Sequence, residues 1–138
     1  MSEERSARKP VPRPSPESLP FWEAAKENRL LLPRCNHCNR FFFPPSQRCH
    51  HCLSQDVAWA ESAGIGRIYS FVVYHRSYHP AFETDIPYVV AIVELDEGVR
   101  LLSNIVGAPL QKVHCDARVS VIFENQDGAS IPMFELVQ

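Results

Sequence analysis

The sequence predicts a mainly β protein in which a small cysteine-rich ribbon is followed by a five-stranded barrel. Three observations favour this fold class. Two Cys-x-x-Cys pairs lie within residues 35–52, five short segments after residue 60 are rich in β-branched and aromatic residues, and turn-forming residues separate those segments. The length of 138 residues suits one domain with a small appendage and excludes a large two-domain enzyme.

The chain divides into three parts. Residues 1–17 are rich in proline and lack an apolar pattern, so we predict an extended or disordered arm. Residues 18–60 are predicted to hold a helix and the ribbon, and residues 61–138 the barrel. The helix is expected to begin at Ser18, which can cap it, with Pro20 in its first turn. Its apolar face would consist of Phe21, Trp22 and Ala25.

The barrel is predicted from short segments in which apolar and polar residues alternate. A short strand at residues 30–32 should lead into the ribbon, ending before Pro33. Residues 96–98 and 126–128 are hairpin signals, and one long connection spans residues 76–86. Five strands in about seventy residues suit a small closed or nearly closed barrel, of which the OB-fold is the leading candidate. The predicted barrel strands are residues 65–75, 87–95, 99–107, 117–125 and 131–137.

Composition and charge limit the classes of function. No apolar run approaches the ~20 residues of a membrane span, and the N-terminus lacks the apolar core of a signal peptide, so we expect a cytoplasmic protein that does not bind membranes. Residues 1–60 carry nine Lys/Arg and six Asp/Glu, whereas residues 61–138 carry five and ten. The acidic barrel disfavours nucleic acid as a partner, although an OB-fold with exposed aromatic residues is suited to single strands.

Four cysteines have the spacing of a metal site. The pattern Cys-x2-Cys-x10-Cys-x2-Cys is typical of a zinc ribbon, in which two knuckles complete a tetrahedron. Four thiolates leave no open coordination position, so the predicted Zn²⁺ is structural and cannot activate water. The predicted ligands are Cys35, Cys38, Cys49 and Cys52.

The cysteine pattern leaves three alternatives open. Iron in a rubredoxin-like site would use the same four ligands and carry one electron. A redox-active dithiol needs one pair at the start of a helix, which neither pair resembles. Histidines inside the pairs are also potential ligands, although solvated or outer-shell imidazoles fit better; they are His37, His50 and His51. The residue after each pair is Asn39 or Leu53 rather than glycine, so the second knuckle is expected to be less regular.

Catalytic patterns are scarce. No nucleophile elbow, zinc-protease, phosphate-loop or dinucleotide-binding motif is present. The best polar cluster of the barrel is expected on its long loop, with His75, Arg76 and His79. Cys115 lies between His114 and Asp116, but adjacent residues point in different directions and do not form a triad among themselves. We therefore predict no catalytic residues.

Several motifs together resemble a known family. The order of RLLLPRC, the ribbon CNHCNRFFFPPSQRCHHC, GIGRIYS and PYVVAIVELDEGVR is similar to that of acyl-CoA-associated proteins with a rubredoxin-like zinc ribbon and an OB-fold. The resemblance covers residues 18–137. It implies a small, non-catalytic subunit that binds a thiolase-like or hydratase-like enzyme and helps shape its acyl-CoA site. Such hosts include benzoylsuccinyl-CoA-type thiolases and steroid side-chain aldolases.

Two sets of residues are candidates for contacts in such a complex. The ribbon cannot bury three consecutive phenylalanines, and the helix carries two more rings, so we predict that some of these side chains contact a partner. The predicted partner-binding residues are Phe21, Trp22, Phe41, Phe42 and Phe43. Arginines near the cysteines and on the long loop are candidates for the phosphates of CoA; they are Arg34, Arg40, Arg48 and Arg76. The alternative function is a single-stranded nucleic-acid-binding OB-fold protein.

Overall fold

The computed structural model describes residues 9–137. It contains one seven-residue helix, α1, and seven strands in that range. The elements are α1 Leu19–Ala25, β1 Leu31–Cys35, β2 Val57–Glu61, β3 Ile65–Tyr74, β4 Tyr88–Leu95, β5 Arg100–Ile105, β6 Arg118–Gln126 and β7 Ala129–Leu136. Within the described residues, no helix is long and apolar enough to cross a membrane.

The last five strands close into a barrel in the order β3-β4-β5-β7-β6, with β6 returning to β3. All neighbours are antiparallel except β5 and β7, which meet in parallel at Ile105 and Phe134. The five-stranded barrel predicted from the sequence is confirmed, and each strand boundary agrees within about two residues. Both predicted hairpins, β4–β5 and β6–β7, are also present.

Alternation along β4 shows how the barrel fills its interior. Val89, Ala91, Val93 and Leu95 are at most 3% exposed, whereas the intervening side chains point outward. Closing the barrel also requires a close approach of backbones at Gly66. A Cβ atom there would lie 2.3 Å from the carbonyl oxygen of Glu94, so only glycine fits at this point of β3.

Helix α1 packs against one side of this core but differs from the prediction at its start. Ser18 precedes the helix without capping it; its Oγ instead accepts a hydrogen bond from the Ser15 N–H at 2.9 Å. The helix ends at Ala25, because residues 26–28 form a turn that Asn28 closes with φ of 61°. Phe21 lies in the same apolar cluster as the barrel core.

The ribbon is built on a two-stranded sheet of β1 and β2. Strand β1 runs through Pro33 to Cys35, so the expectation that it stops at residue 32 was wrong. Proline is tolerated because this sheet has only two strands, both of them edges. Strand β2 was not predicted, since two of its five residues are alanine and its pairing with β1 outweighs weak local propensity. Glu61 pairs with Leu31, so β2 extends one residue past the predicted boundary at residue 60.

The described part of the N-terminal arm lies against the barrel. Residues 9–15 have no regular secondary structure, and Lys9 Nζ lies 2.7 Å from an Asp85 carboxylate oxygen on the β3–β4 loop. The ammonium group also lies 5.5 Å from the centre of the Phe82 ring. Residues 1–8 of the predicted arm are outside the described residues.

Candidate metal centre

The two cysteine pairs meet at one end of the molecule. The four Sγ atoms all lie within 4.8 Å of one another, and the Cys35–Cys52 and Cys38–Cys49 sulfur pairs are each 3.6 Å apart. A tetrahedral zinc with bonds of about 2.3 Å separates its sulfurs by roughly 3.8 Å. The spacing fits a four-thiolate metal site, and within residues 9–137 the cluster contains no histidine.

The two knuckles that position the sulfurs have the same backbone conformation. The N–H of Asn39 donates to the Cys35 carbonyl at 2.9 Å, and that of Leu53 donates to the Cys49 carbonyl at 3.0 Å. Both residues adopt the left-handed backbone conformation, with φ of 61° and 65°. The expectation that Leu53 makes the second knuckle less regular was therefore wrong: the leucine takes the strained conformation instead of distorting the turn.

Backbone N–H groups favour the ionised sulfurs. Cys35 Sγ accepts from the N–H groups of His37 at 3.3 Å and Cys38 at 3.4 Å. The Cys38 N–H, with help from His37, outweighs burial and lowers the pKa of Cys35 to about 6. For Cys52, the Ser54 N–H lowers the pKa, but partial desolvation of its Sγ and hydrogen bonds with the three neighbouring thiols raise it to about 12. The four groups thus do not all ionise together unless a cation replaces their protons.

The burial of the ligands sets what the centre can do. Cys35 and Cys49 are fully buried, and Phe42 packs against both. Cys52 is exposed. All four sulfurs are committed to one site, so a metal bound by them has no open position for substrate or water. Four thiolates suit zinc and also iron. Either metal would hold the two knuckles of the ribbon together.

The histidines inside the knuckles stay outside the sulfur cluster. His51 Nε2 lies 3.2 Å from the Phe41 carbonyl oxygen, and the His50 ring lies 4.7 Å from that of Phe42. His37 is exposed, and its backbone N–H rather than its ring contacts a sulfur. Their contribution is packing and hydrogen bonding around the sulfurs.

The rings predicted to contact a partner are distributed between interior and surface. Phe21 and Phe42 are buried, at 5% and 2% exposed, because the helix and the ribbon each use one ring as core. Phe43 lies 5.2 Å from Phe21, and Trp22 and Phe41 are half-buried against the main cluster. The part of the surface that these five residues offer therefore comes from Trp22, Phe41 and Phe43.

The four arginines predicted to contact CoA differ in their surroundings. Arg34 lies over the Phe41 ring at 5.8 Å, and its Nε is buried without a hydrogen-bond partner among the described residues. Arg48 Nη1 donates to the Leu53 carbonyl at 3.1 Å, which ties the two ends of the second knuckle together. No sequence pattern indicates this role, because the two residues lie five apart in irregular backbone. Arg40 and Arg76 are exposed.

No catalytic constellation forms from the polar residues considered above. Cys115 is exposed, His114 Nδ1 lies 2.9 Å from the Cys115 carbonyl oxygen, and Asp116 pairs with Arg67. His79 Nδ1 accepts from the Ala81 N–H at 3.0 Å and so caps a short 3-10 turn. The imidazole of His79 and the carboxylate of Asp116 thus have local structural roles.

Comparisons with known proteins agree with this architecture. Two family profiles match the chain: "ChsH2, rubredoxin-like zinc ribbon domain" over residues 22–58 and "ChsH2, C-terminal OB-fold domain" over residues 59–124. A solved structure described as "Ltp2-ChsH2(DUF35) aldolase" has a TM-score of 0.82 and 39% identity, covering 91% of this chain and 98% of that one.

Three curated relatives carry functional names. The "Probable enoyl-CoA hydratase alpha subunit" of Thermomonospora curvata is 44% identical over 83% of this chain, which spans 36% of that protein's length. A "DUF35 domain-containing scaffold protein" of Methanocaldococcus jannaschii is 32% identical, over 78% of each chain. The "Benzoylsuccinyl-CoA thiolase subunit BbsA" of Thauera aromatica is 24% identical, over 95% of this chain and 94% of its own.

The two profiles together span residues 22–124, and they divide the chain between ribbon and barrel near β2, as the fold does. Four clustered thiols occupy the ribbon, and five strands close the barrel. This chain belongs to the ChsH2/DUF35 family of zinc-ribbon and OB-fold proteins.

Proposed function

We propose that this chain is a non-catalytic accessory subunit of a thiolase-like, acyl-CoA-processing complex. It binds the catalytic subunit and helps shape the acyl-CoA site. One observation carries the proposal: a chain of the same fold and nearly the same length is the DUF35 component of a two-component aldolase. The names of the hydratase and thiolase relatives point to the same class of chemistry.

The chemistry of this chain supports an accessory rather than a catalytic role. Its four thiols form a closed donor set without room for substrate. Two polar residues of the barrel loops, His79 and Asp116, have structural partners. We therefore expect a reaction on a thioester to draw its catalytic groups from a second chain, with this chain supplying shape and binding surface.

The proposed metal is zinc. Four cysteines in two knuckles, with sulfurs at roughly tetrahedral spacing, suit a redox-inert ion that keeps a ribbon folded. Elemental analysis of the purified chain tests this directly. One zinc per chain and no colour are expected, whereas stoichiometric iron with visible absorbance would show a one-electron site instead.

We also propose that this chain contacts CoA directly. Arg40 and Arg76 are exposed, and Arg76 lies over the Tyr78 ring at 5.8 Å, so both are accessible to phosphates. Arg34 and Arg48 are weaker candidates, because Arg34 is half-buried and Arg48 already donates to the Leu53 carbonyl. The Arg40→Ala and Arg76→Ala variants should each raise the KM of the complex for acyl-CoA while leaving assembly unchanged.

The experiment is isolation of the tagged full chain from its source under mild conditions. We expect a thiolase-, hydratase- or aldolase-type enzyme to co-purify at fixed stoichiometry, identified by mass spectrometry, and its turnover of acyl-CoA to fall when this chain is removed. A monomeric chain that leaves the turnover of such enzymes unchanged would overturn the proposal. Salt-sensitive binding of single-stranded DNA would instead favour the nucleic-acid alternative.

A further inference from the structure

The outward side of the barrel carries an apolar surface across three strands. On β4, Val90 and Ile92 point away from the core and are half-buried. Register places Val72 of β3 beside Val90, and Leu102 of β5 beside Ile92. Val72 is 54% and Leu102 is 75% exposed. We call these four side chains, Val72, Val90, Ile92 and Leu102, the outer face.

The outer face is bounded at one end by charged and aromatic groups in fixed positions. Arg100 lies 3.8 Å from the centre of the Tyr69 ring, and its Nε donates to Glu94 at 3.0 Å. Arg67 donates to the other oxygen of the same carboxylate at 2.9 Å. Hydrogen bonds first from Arg100 and then from Arg67 lower the pKa of Glu94. These side chains are ordered before any partner arrives, which reduces the entropy lost on binding.

The opposite end is aromatic. Tyr74 stacks on Tyr88 with ring centres 5.1 Å apart, and Tyr78, 76% exposed, meets Tyr74 edge-on. An apolar centre between edges of tyrosine and arginine has the composition of a protein interface, whose strongest contributors are these same residue types.

Strand β4 itself indicates that the outer face is covered in the functional assembly. Its sequence, YVVAIVEL, is apolar at both inward and outward positions up to Ile92. This pattern is typical of strands buried on both sides. The inner side is buried by the barrel core, whereas Leu102 is 75% exposed among residues 9–137. A contiguous exposed apolar surface of this kind marks an interaction site.

Charge decides between two occupants. Four side chains on three strands about 4.8 Å apart span on the order of 130 Å², well below the ~800 Å² per partner of a stable interface, so either occupant must also contact the neighbouring edges. A second copy would bring together two barrel halves that each carry five Lys/Arg against ten Asp/Glu and repel one another.

We infer that the outer face is the centre of the surface on which the catalytic subunit docks, through an apolar patch of that subunit. The inference rests on the proposed function and deepens it by assigning the contact to the outer side of β3, β4 and β5. The remainder of the interface comes from the neighbouring edges.

The test measures the affinity of the full chain for the enzyme that co-purifies with it. Leu102→Glu places a carboxylate in the centre of the outer face and should weaken binding about 30-fold or more. Val72→Glu is a second variant at an independent position of the same face. Val137→Glu is the matched control, because Val137 is also exposed, at 47%, but follows β7 outside the face. Metal content and thermal unfolding of each variant report on folding.

Each outcome supports or overturns the inference. Weakened binding by both face variants, with unchanged folding and near wild-type binding by Val137→Glu, supports it. Wild-type affinity in folded Leu102→Glu and Val72→Glu overturns the inference and leaves the proposed function intact, whereas a wild-type chain that binds no such enzyme overturns both. Concentration-dependent dimerisation of the wild type that Leu102→Glu abolishes would make the occupant a second copy and overturn the assignment to a catalytic subunit.

Discussion

The ribbon and the barrel reach stability by different routes. The barrel encloses an apolar core in which Ile68, Val93, Val119 and Phe134 are completely buried. The ribbon's own cluster consists of two buried cysteines and Phe42, which is too small to fold by burial alone. Its remaining apolar side chains, including Leu32, join the barrel core. We therefore expect loss of the metal to unfold the ribbon, and loss of a core ring to destabilise the barrel.

Loss of a metal ligand should have the largest effect. A structural zinc contributes on the order of 10 kcal/mol at pH 7 to a site of this type. Cys49→Ser should therefore abolish metal binding and remove protection from hydrogen exchange in β1, β2 and the connecting knuckles. Strands β3 to β7 should keep most of their protection, because their barrel closes without β1 or β2 and loses only the packing of ribbon side chains such as Leu32.

Cys115→Ser is the matched control, since Cys115 is exposed and outside the thiol cluster. It should keep both the metal and the exchange pattern. Retention of ribbon protection in metal-free Cys49→Ser would show that packing on the barrel is sufficient to fold the ribbon, and the contrast between the two regions would fail.

Truncation of the barrel core should come next. Phe134 is fully buried where β5 and β7 meet, and Phe134→Ala should reduce the free energy of unfolding by about 3–5 kcal/mol. Urea unfolding followed by tryptophan fluorescence measures this loss. Leu102→Ala, at a highly exposed leucine, should change stability by no more than about 0.5 kcal/mol. A similar loss in both variants would contradict the assignment of Phe134 to the core.

A single added methyl group should distinguish two barrel glycines. The Cβ of Gly66→Ala would lie 2.3 Å from the Glu94 carbonyl oxygen and 2.8 Å from the Leu95 Cα, so strands β3 and β4 would have to separate, at a cost of about 1–3 kcal/mol. Gly98 has φ of 91° but no atom within 4 Å of an added Cβ. Gly98→Ala should cost about 1 kcal/mol through backbone strain alone. Thermal unfolding of both variants measures which substitution costs more stability. A larger loss in Gly98→Ala than in Gly66→Ala would show that β3 and β4 separate easily at Gly66.

The sequence predicted those features that depend on local pattern. The cysteine spacing predicted the four thiols that the fold brings together, and alternation with turn residues identified all five barrel strands. Strand β2 was missed because Ala58 and Ala60 carry little strand propensity, and its partner, β1, lies more than twenty residues earlier. The surroundings of Arg48 and the outer face also escaped prediction, since both depend on which residues the fold brings together.

The smallest expected effect concerns the strain within the second knuckle. A leucine in the left-handed region costs about 1–2 kcal/mol, and Leu53 is 67% exposed with φ of 65°, so its side chain contributes little packing in return. Leu53→Gly should stabilise the metal-bound ribbon by about 0.5–1 kcal/mol, because relief of strain exceeds the added entropy of the unfolded chain. The rate of zinc transfer to a chelator should accordingly fall severalfold. Asn39→Gly, at the equivalent position of the first knuckle with φ of 61°, should change that rate less, because asparagine tolerates this conformation. Faster zinc loss from Leu53→Gly than from the wild type would mean that Leu53 packs against the knuckle and that its side chain, rather than its backbone, decides the stability of this half of the site.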